Sequence, residues 1–139
     1  MADNIKLEVV TPEKAVVDED VQMVVAPGTL GEFGVLAGHT TFLTTLKVGT
    51  IRYTDAGGAE HYIFISGGFA EALPDKVTVL AESAERRRDI DLERAKLAMQ
   101  RAEQRLAEAR SKEEVDFVRA KAALERALQR LKLVGGSSA

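Results

Sequence analysis

The chain contains no cysteine, which excludes disulfides, thiolate metal sites and thiol nucleophiles together and fits a reducing compartment. Tryptophan is absent and aromatic residues make up only 5% of the 139 residues, so the core must be aliphatic. Imidazole is limited to His39 and His61. His39 has no second His, no Cys and no carboxylate at metal-ligand spacing, and His61 falls in a strand-like run, so no metal site is expected. Apolar runs are all shorter than the roughly 20 residues that cross a bilayer. The Met1-Ala2-Asp3-Asn4 start has no signal-peptide character, so membrane association is expected only through a partner. Glycine is missing between Gly68 and Gly135, and that gap divides the chain in two.

What is present differs on the two sides of the divide. Residues 1–82 carry 5 basic and 12 acidic side chains; residues 83–139 carry 14 basic and 10 acidic. Ten arginines fall between Arg86 and Arg130, against the single Arg52 before them. A net charge of −3 therefore conceals two modules of opposite sign, with different partners expected for each. The boundary is placed at 84/85, giving modules 1–84 and 85–139.

The first module reads as short strands. Ile5 to Val10 alternates, Leu7 and Val9 against Lys6 and Glu8, and Thr11-Pro12-Glu13-Lys14 forms a turn. Val21–Ala26, Phe42–Leu46, Val48–Thr54, Tyr62–Ser66, Phe69–Leu73 and Val77–Leu80 follow, with Asp55-Ala56-Gly57-Gly58 and Pro74-Asp75-Lys76 as hairpin turns. Closely spaced short strands predict an all-β sandwich or barrel.

The four glycines of Gly28 to Gly38 superficially suggest a phosphate loop. A phosphate-cradling loop needs Lys and Ser or Thr after its last glycine and a helix behind it, whereas His39 and a strand follow here. The glycines instead predict a folded-over loop displaying Glu32 and Phe33 at its tip. Ser66-Gly67-Gly68 lacks the G-x-S-x-G pattern of a serine nucleophile.

The second module reads as two helices. Leu92, Ala95, Met99, Ala102, Leu106 and Ala109 advance by steps of three and four, as do Phe117, Ala120, Leu124, Ala127, Leu131 and Val134. Asp89 or Asp91 can cap the first helix, Ser111-Lys112-Glu113-Glu114 fits a capping box for the second, and Gly135-Gly136 ends it. The prediction is an antiparallel helical hairpin. Its alanine-rich seam buries little apolar area, at about 0.8 kcal/mol per CH₂, so the hairpin is expected to be marginal alone and able to open. Arg94 and Arg101 share one face and Arg126 and Arg130 another. Antiparallel folding brings these pairs opposite each other, and converging guanidinium forks suit a phosphate.

Four segments then carry a resemblance: Gly31-Glu32-Phe33-Gly34-Val35-Leu36-Ala37-Gly38-His39, Leu46-Lys47-Val48-Gly49-Thr50-Ile51-Arg52, Ile65-Ser66-Gly67-Gly68-Phe69, and Val77-Thr78-Val79-Leu80-Ala81-Glu82. With the order of modules, they make nearly the whole chain similar to the epsilon-subunit family of F-type ATP synthases, called delta in mitochondria. The resemblance implies a β-sandwich of about ten strands followed by two α-helices. It implies a non-catalytic rotor subunit of the central stalk in a proton-translocating ATP synthase, peripheral at the cytoplasmic face of the bacterial inner membrane. The implied partners are the gamma subunit, the c-subunit ring and, through an extended hairpin, the alpha/beta catalytic head, whose ATP hydrolysis the hairpin restrains. Glu32 falls where the family presents an acid to the c ring, with Phe33 and His39 beside it as candidate contacts. Some members bind regulatory ATP, with or without Mg²⁺, in the folded hairpin through an Ile/Leu-Asp-x-x-Arg-Ala motif and further arginines. Ile90, Asp91, Arg94 and Ala95 match that motif, and Arg101, Arg126 and Arg130 match the arginines, with Glu85 just upstream. The helix connection is two residues longer than in the aligned members. No cofactor is required.

Two other functional classes compare with this one. An independent hydrolase fails because no nucleophile–base pair, metal cluster or phosphate loop is visible. A stand-alone ATP-sensing hairpin adaptor remains the alternative; nucleic acid is disfavoured because acids interleave the arginines and aromatics are scarce.

Overall fold

The computed structural model describes residues 3–109 and 114–135. Its elements are β1 (Ile5–Val10), β2 (Ala15–Gly28), β3 (Gly31–Leu36), β4 (Phe42–Asp55), β5 (Glu60–Leu73), β6 (Lys76–Ala81), β7 (Ala84–Arg86), a 3-10 turn (Arg87–Asp89), α1 (Leu92–Ala109) and α2 (Glu114–Gly135). The chain divides into two compact units, Met1–Arg87 and Arg88–Ala139.

In the first unit, period-two alternation sets the inside from the outside. Ile5, Leu7 and Val9 of β1 are buried while Lys6, Glu8 and Val10 are half-exposed. Thr11 Oγ1 accepts the N–H groups of Glu13 and Lys14 at 3.3 and 3.2 Å, turning the chain into β2. The first half of β2 pairs with β1, and its second half pairs with β3 and β4. β5 runs against β4 along its length, while β7 flanks its first half and β6 its second. β6 lies parallel to β1, so the ladder β1-β6-β5-β4-β2 returns to β1 and closes the sheet around an aliphatic core. Closure leaves β3 as an edge, paired among the described residues with β2 alone.

The expected all-β class and helical pair are found, with several differences in detail. β2, β4 and β5 are each 14 residues long, and each does the work of two strands. β4 runs through Lys47 and β5 through Gly67-Gly68, where the sequence suggested breaks. β2 extends back to Ala15, because its acidic run is held by β1: Lys6, Leu7 and Glu8 face Asp20, Glu19 and Asp18, and Lys6 Nζ lies 2.9 Å from Asp18 Oδ1.

The expected loop at Glu32 and Phe33 is a strand. Glu32 and Phe33 of β3 sit opposite Pro27 and Ala26, and the turn tip is Thr29-Leu30 instead. Alternating small and large residues disguised the strand, although Val35 is completely buried. Gly28 is required at the turn, since a Cβ there would lie 2.7 Å from the carbonyl oxygen of Gly31.

The division after Arg87 also corrects the 84/85 boundary. Residues 84–86 pair with Phe64 and its neighbours as β7, so they complete the sheet and do not begin the hairpin. In the second unit the helices rise about 27 and 33 Å, from 18 and 22 residues. Ala95, Ala102, Ala120 and Ala127 are 1–4% exposed and form the seam. Leu92, Met99, Leu106, Leu124, Leu131 and Val134 flank it half-buried. Phe117, expected in the stripe, is 37% exposed. The side chain of Ala109, residue Arg110, the capping box at 111–114 and the tail from Gly136 lie outside the described residues. Among the described residues, no helix is long and apolar enough to cross a membrane.

Candidate functional site

The start of α1 assigns a separate task to each position of Ile90-Asp91-x-x-Arg94-Ala95. Ile90 is only 7% exposed and anchors the approach. Asp91 is the cap: its Oδ1 accepts the N–H of Arg94 at 3.1 Å while its carbonyl accepts that of Ala95 at 3.0 Å. A side-chain cap of this kind contributes about 1 kcal/mol and places a carboxylate at the positive end of the helix dipole. Asp89, the other capping candidate, belongs to the preceding 3-10 turn. Ala95 enters the seam. Arg94 is left exposed, fixed in position by its own backbone N–H on the cap. Three of the four motif residues thus build the helix start, and the fourth is displayed.

Arg101 is also exposed, whereas Arg126 and Arg130 on α2 are half-buried. A crevice of about 510 Å³ opens between α1 and α2, lined by Arg105, Glu108, Asp116, Arg119, Ala120, Ala123 and Arg126. Of the four arginines expected to converge, only Arg126 lines this crevice. Arg105 and Arg119 line it as well, together with the carboxylates of Glu108 and Asp116. Arg105 was missed in the sequence; Arg119 stands seven residues before Arg126, the same two-turn spacing that singled out Arg94 and Arg101. Three guanidinium groups against two carboxylates leave the crevice one positive charge in excess, with forks suited to phosphate or carboxylate oxygens. Glu85 sits on β7 opposite Phe64 and so belongs to the β unit, whereas the other seven candidate residues belong to the helical unit.

The second candidate region is the β3 edge. Glu32 is exposed. Phe33 and His39 both pack edge-on against Phe42, at centroid distances of 5.1 Å and interplanar angles of 84° and 67°. His39 Nδ1 donates to the Thr40 carbonyl at 2.6 Å, which fixes the ring tautomer. Phe33 and His39 therefore brace Phe42 behind the displayed acid. The sequence reading missed Leu30, which is 100% exposed at the turn before β3. Leu30 and Glu32 thus put an exposed apolar and an exposed acidic side chain two residues apart.

Comparison with known proteins covers both units. The beta-sandwich domain of the ATP synthase delta/epsilon chain matches residues 4–87, and its long alpha-helix domain matches residues 88–135. The ATP synthase epsilon chain of Desulfosudis oleivorans is 63% identical over 106 residues, covering 76% of this chain and 80% of that one. The epsilon chain of Desulfatibacillum aliphaticivorans is 67% identical over 106 residues, covering 76% and 75%. Among solved structures, a chain of the Euglena gracilis mitochondrial ATP synthase OSCP/F1/c-ring assembly superposes with a TM-score of 0.79 at 26% identity, covering 93% of this chain and 80% of that one. A chain from the Tetrahymena thermophila mitochondrial ATP synthase central stalk/c-ring shares the fold, with a TM-score of 0.60 at 11% identity and coverage of 94% and 96%. Matched in both halves and in order, the chain belongs to the delta/epsilon-chain family of ATP synthases.

Proposed function

We propose that the chain is a non-catalytic subunit of the ATP synthase central stalk, transmitting ring rotation toward ATP synthesis and restraining ATP hydrolysis through its helical hairpin. The observation that carries this reading is the ordered match of sandwich and long-helix domains over residues 4–135. In it, the β unit binds the gamma subunit and meets the c ring with the β3 edge. Exposed Glu32 and Leu30 supply the contact, and Phe33, Phe42 and His39 hold the strand rigid behind them. The complex lies at the cytoplasmic face of the bacterial inner membrane, and this chain reaches the membrane only through the ring. Gentle solubilisation of native membranes is expected to release the chain together with gamma and the c ring. Recovery as a free monomer overturns the stalk assignment.

The hairpin is the regulatory element. Its seam is closed by alanines, so little apolar area opposes opening, and an extended hairpin reaches the alpha/beta head. ATP favours the folded form by binding the arginine face, with Arg94 and Arg101 on α1 and Arg126 and Arg130 on α2 as its phosphate ligands, and Mg²⁺ accompanying the nucleotide. Calorimetry of the purified chain with MgATP is expected to give saturable heat. Arg126→Ala is expected to weaken it at least about tenfold, since a charge-assisted hydrogen bond contributes roughly 1.5–3 kcal/mol. No heat at millimolar MgATP, or heat indifferent to Arg126→Ala, rejects nucleotide regulation while leaving the stalk role standing.

A further inference from the structure

We propose that Glu19, Asp55 and His61, all of the β unit, form a binding site for a divalent transition metal of the Zn²⁺ class that shares no residue with the β3 edge. The three residues come from β2, the end of β4 and the start of β5, and their donor atoms all lie within 4.8 Å of one another. Two of them already touch: His61 Nε2 is 2.7 Å from Asp55 Oδ2. Zn²⁺ binds nitrogen and carboxylate oxygen at roughly 2.0–2.2 Å, which separates tetrahedral ligands by about 3.3 Å. The His61–Asp55 pair therefore needs to open by only about half an ångström, and Glu19 to close by somewhat more.

Each ligand is oriented from behind, as metal ligands are by their outer shell. Asp55 Oδ1 accepts the N–H groups of Gly57 and Ala59, both at 2.9 Å, which leaves Oδ2 aimed into the cluster. The His61 ring is stacked on Tyr53 at 4.8 Å and 16°, so its plane is set. Glu19 lies 4.0 Å from Arg86, which itself donates to the Tyr53 hydroxyl and the Val16 carbonyl, both at 3.1 Å. Side-chain exposures of 27–36% leave one side open to water, which supplies the fourth ligand.

The donor set chooses the ion. One imidazole with two carboxylates suits Zn²⁺ or Co²⁺, whereas Mg²⁺ and Ca²⁺ take oxygen cages with more ligands than are gathered here. Binding uses the Nε2 lone pair, so the ring proton that bridges to Asp55 moves to Nδ1. The Arg86 guanidinium opposes the incoming dication, which sets the affinity in the micromolar range and not at the level of a closed structural zinc site. The bound ion would clip β2 to the β4–β5 hairpin and stiffen that end of the sheet.

Zn²⁺ titration of the purified full-length chain tests the site by calorimetry and thermal melting. The expected result is one ion per chain at micromolar affinity and a melting temperature raised by several degrees, with no heat from Mg²⁺ at the same concentration. His39→Ala, which removes the other imidazole, is expected to leave binding unchanged. His61→Gln is expected to weaken it by more than about 100-fold and Glu19→Gln by at least about tenfold. Glu19 is partly exposed and Gln has its shape, so circular dichroism of Glu19→Gln is expected to match the parent, and that variant decides the case if His61→Gln does not fold. Absence of saturable binding up to submillimolar Zn²⁺, binding that survives Glu19→Gln, or binding lost in His39→Ala overturns the proposal.

Discussion

Truncation after Arg87 is expected to raise ATP hydrolysis by the assembled ATP synthase several-fold while leaving assembly intact. The position of the cut matters. Residues 84–86 are β7, hydrogen-bonded to Ile63, Phe64 and Ile65, and Arg86 also ties Tyr53 to the Val16 carbonyl. A cut at 84 would strip a strand and that bridge from the β unit and confuse lost inhibition with lost folding. A cut after Arg87 falls where the two compact units part. The removed hairpin is held by four buried alanines, with leucines, methionine and valine only half-buried beside them. Each buried methylene contributes about 0.8 kcal/mol, so an alanine layer forfeits several kcal/mol against a leucine layer. That weakness suits an element that exchanges partners. Steady-state hydrolysis by the complex with and without residues 88–139 is the measurement, and an unchanged rate would mean that the hairpin does not inhibit.

Gly68→Ala is expected to destabilise the β unit by about 3–5 kcal/mol, enough to remove a large part of the stability of a domain this size. Gly68 has φ of +148°, a conformation that L side chains rarely adopt. A Cβ built there collides with the Leu80 carbonyl oxygen and lies 2.9 Å from Ala81 Cα. Both are backbone atoms of β6, which cannot swing aside as a side chain would. The strain falls where β5 changes neighbours, from β7 at Ile63–Ile65 to β6 at Gly68–Leu73. Urea unfolding of the purified chain measures the loss. Gly34→Ala provides the contrast, because a Cβ at Gly34 finds its nearest neighbours at 3.8 Å and its backbone is not left-handed. That variant is expected to stay within about 0.5 kcal/mol of the parent. Equal melting of Gly68→Ala and the parent would show that the β5–β6 crossing yields far more readily than its geometry implies.

Much of the fold was legible because it is written in local patterns. The alternation Ile5-Lys6-Leu7-Glu8-Val9 has one outcome beside a core, and β1 follows it residue by residue. The three-four stepping from Leu92 onward predicts a helix with its alanines inward, which is where Ala95, Ala102, Ala120 and Ala127 lie. Capping is equally local, and Asp91 needed only the N–H three residues ahead. The family resemblance could be read from four short segments for the same reason.

Misreadings arose where a distant partner supplies what the local sequence lacks. Asp18-Glu19-Asp20 has no strand pattern of its own and becomes β2 only because β1 receives it. Gly31 to Leu36 resembles a glycine loop until β2 pairs with it. Arg105 carries no spacing signal of its own, yet it shares with Arg119 and Arg126 the crevice between the two helices.

By itself, the sequence determined the division into an aliphatic β unit and an alanine-seamed helical pair, and the family; it narrowed the cap to Asp89 or Asp91. Each of these depends on residues within a few turns or strand steps of one another. Only the tertiary structure decided the closure of the sheet, the extent of β2, and the meeting of Glu19, Asp55 and His61 beneath an arginine that reaches back 70 residues to Val16. Strand pairing brings such residues together by backbone hydrogen bonds that any side chain can flank, so no spacing along the chain announces which ones will meet.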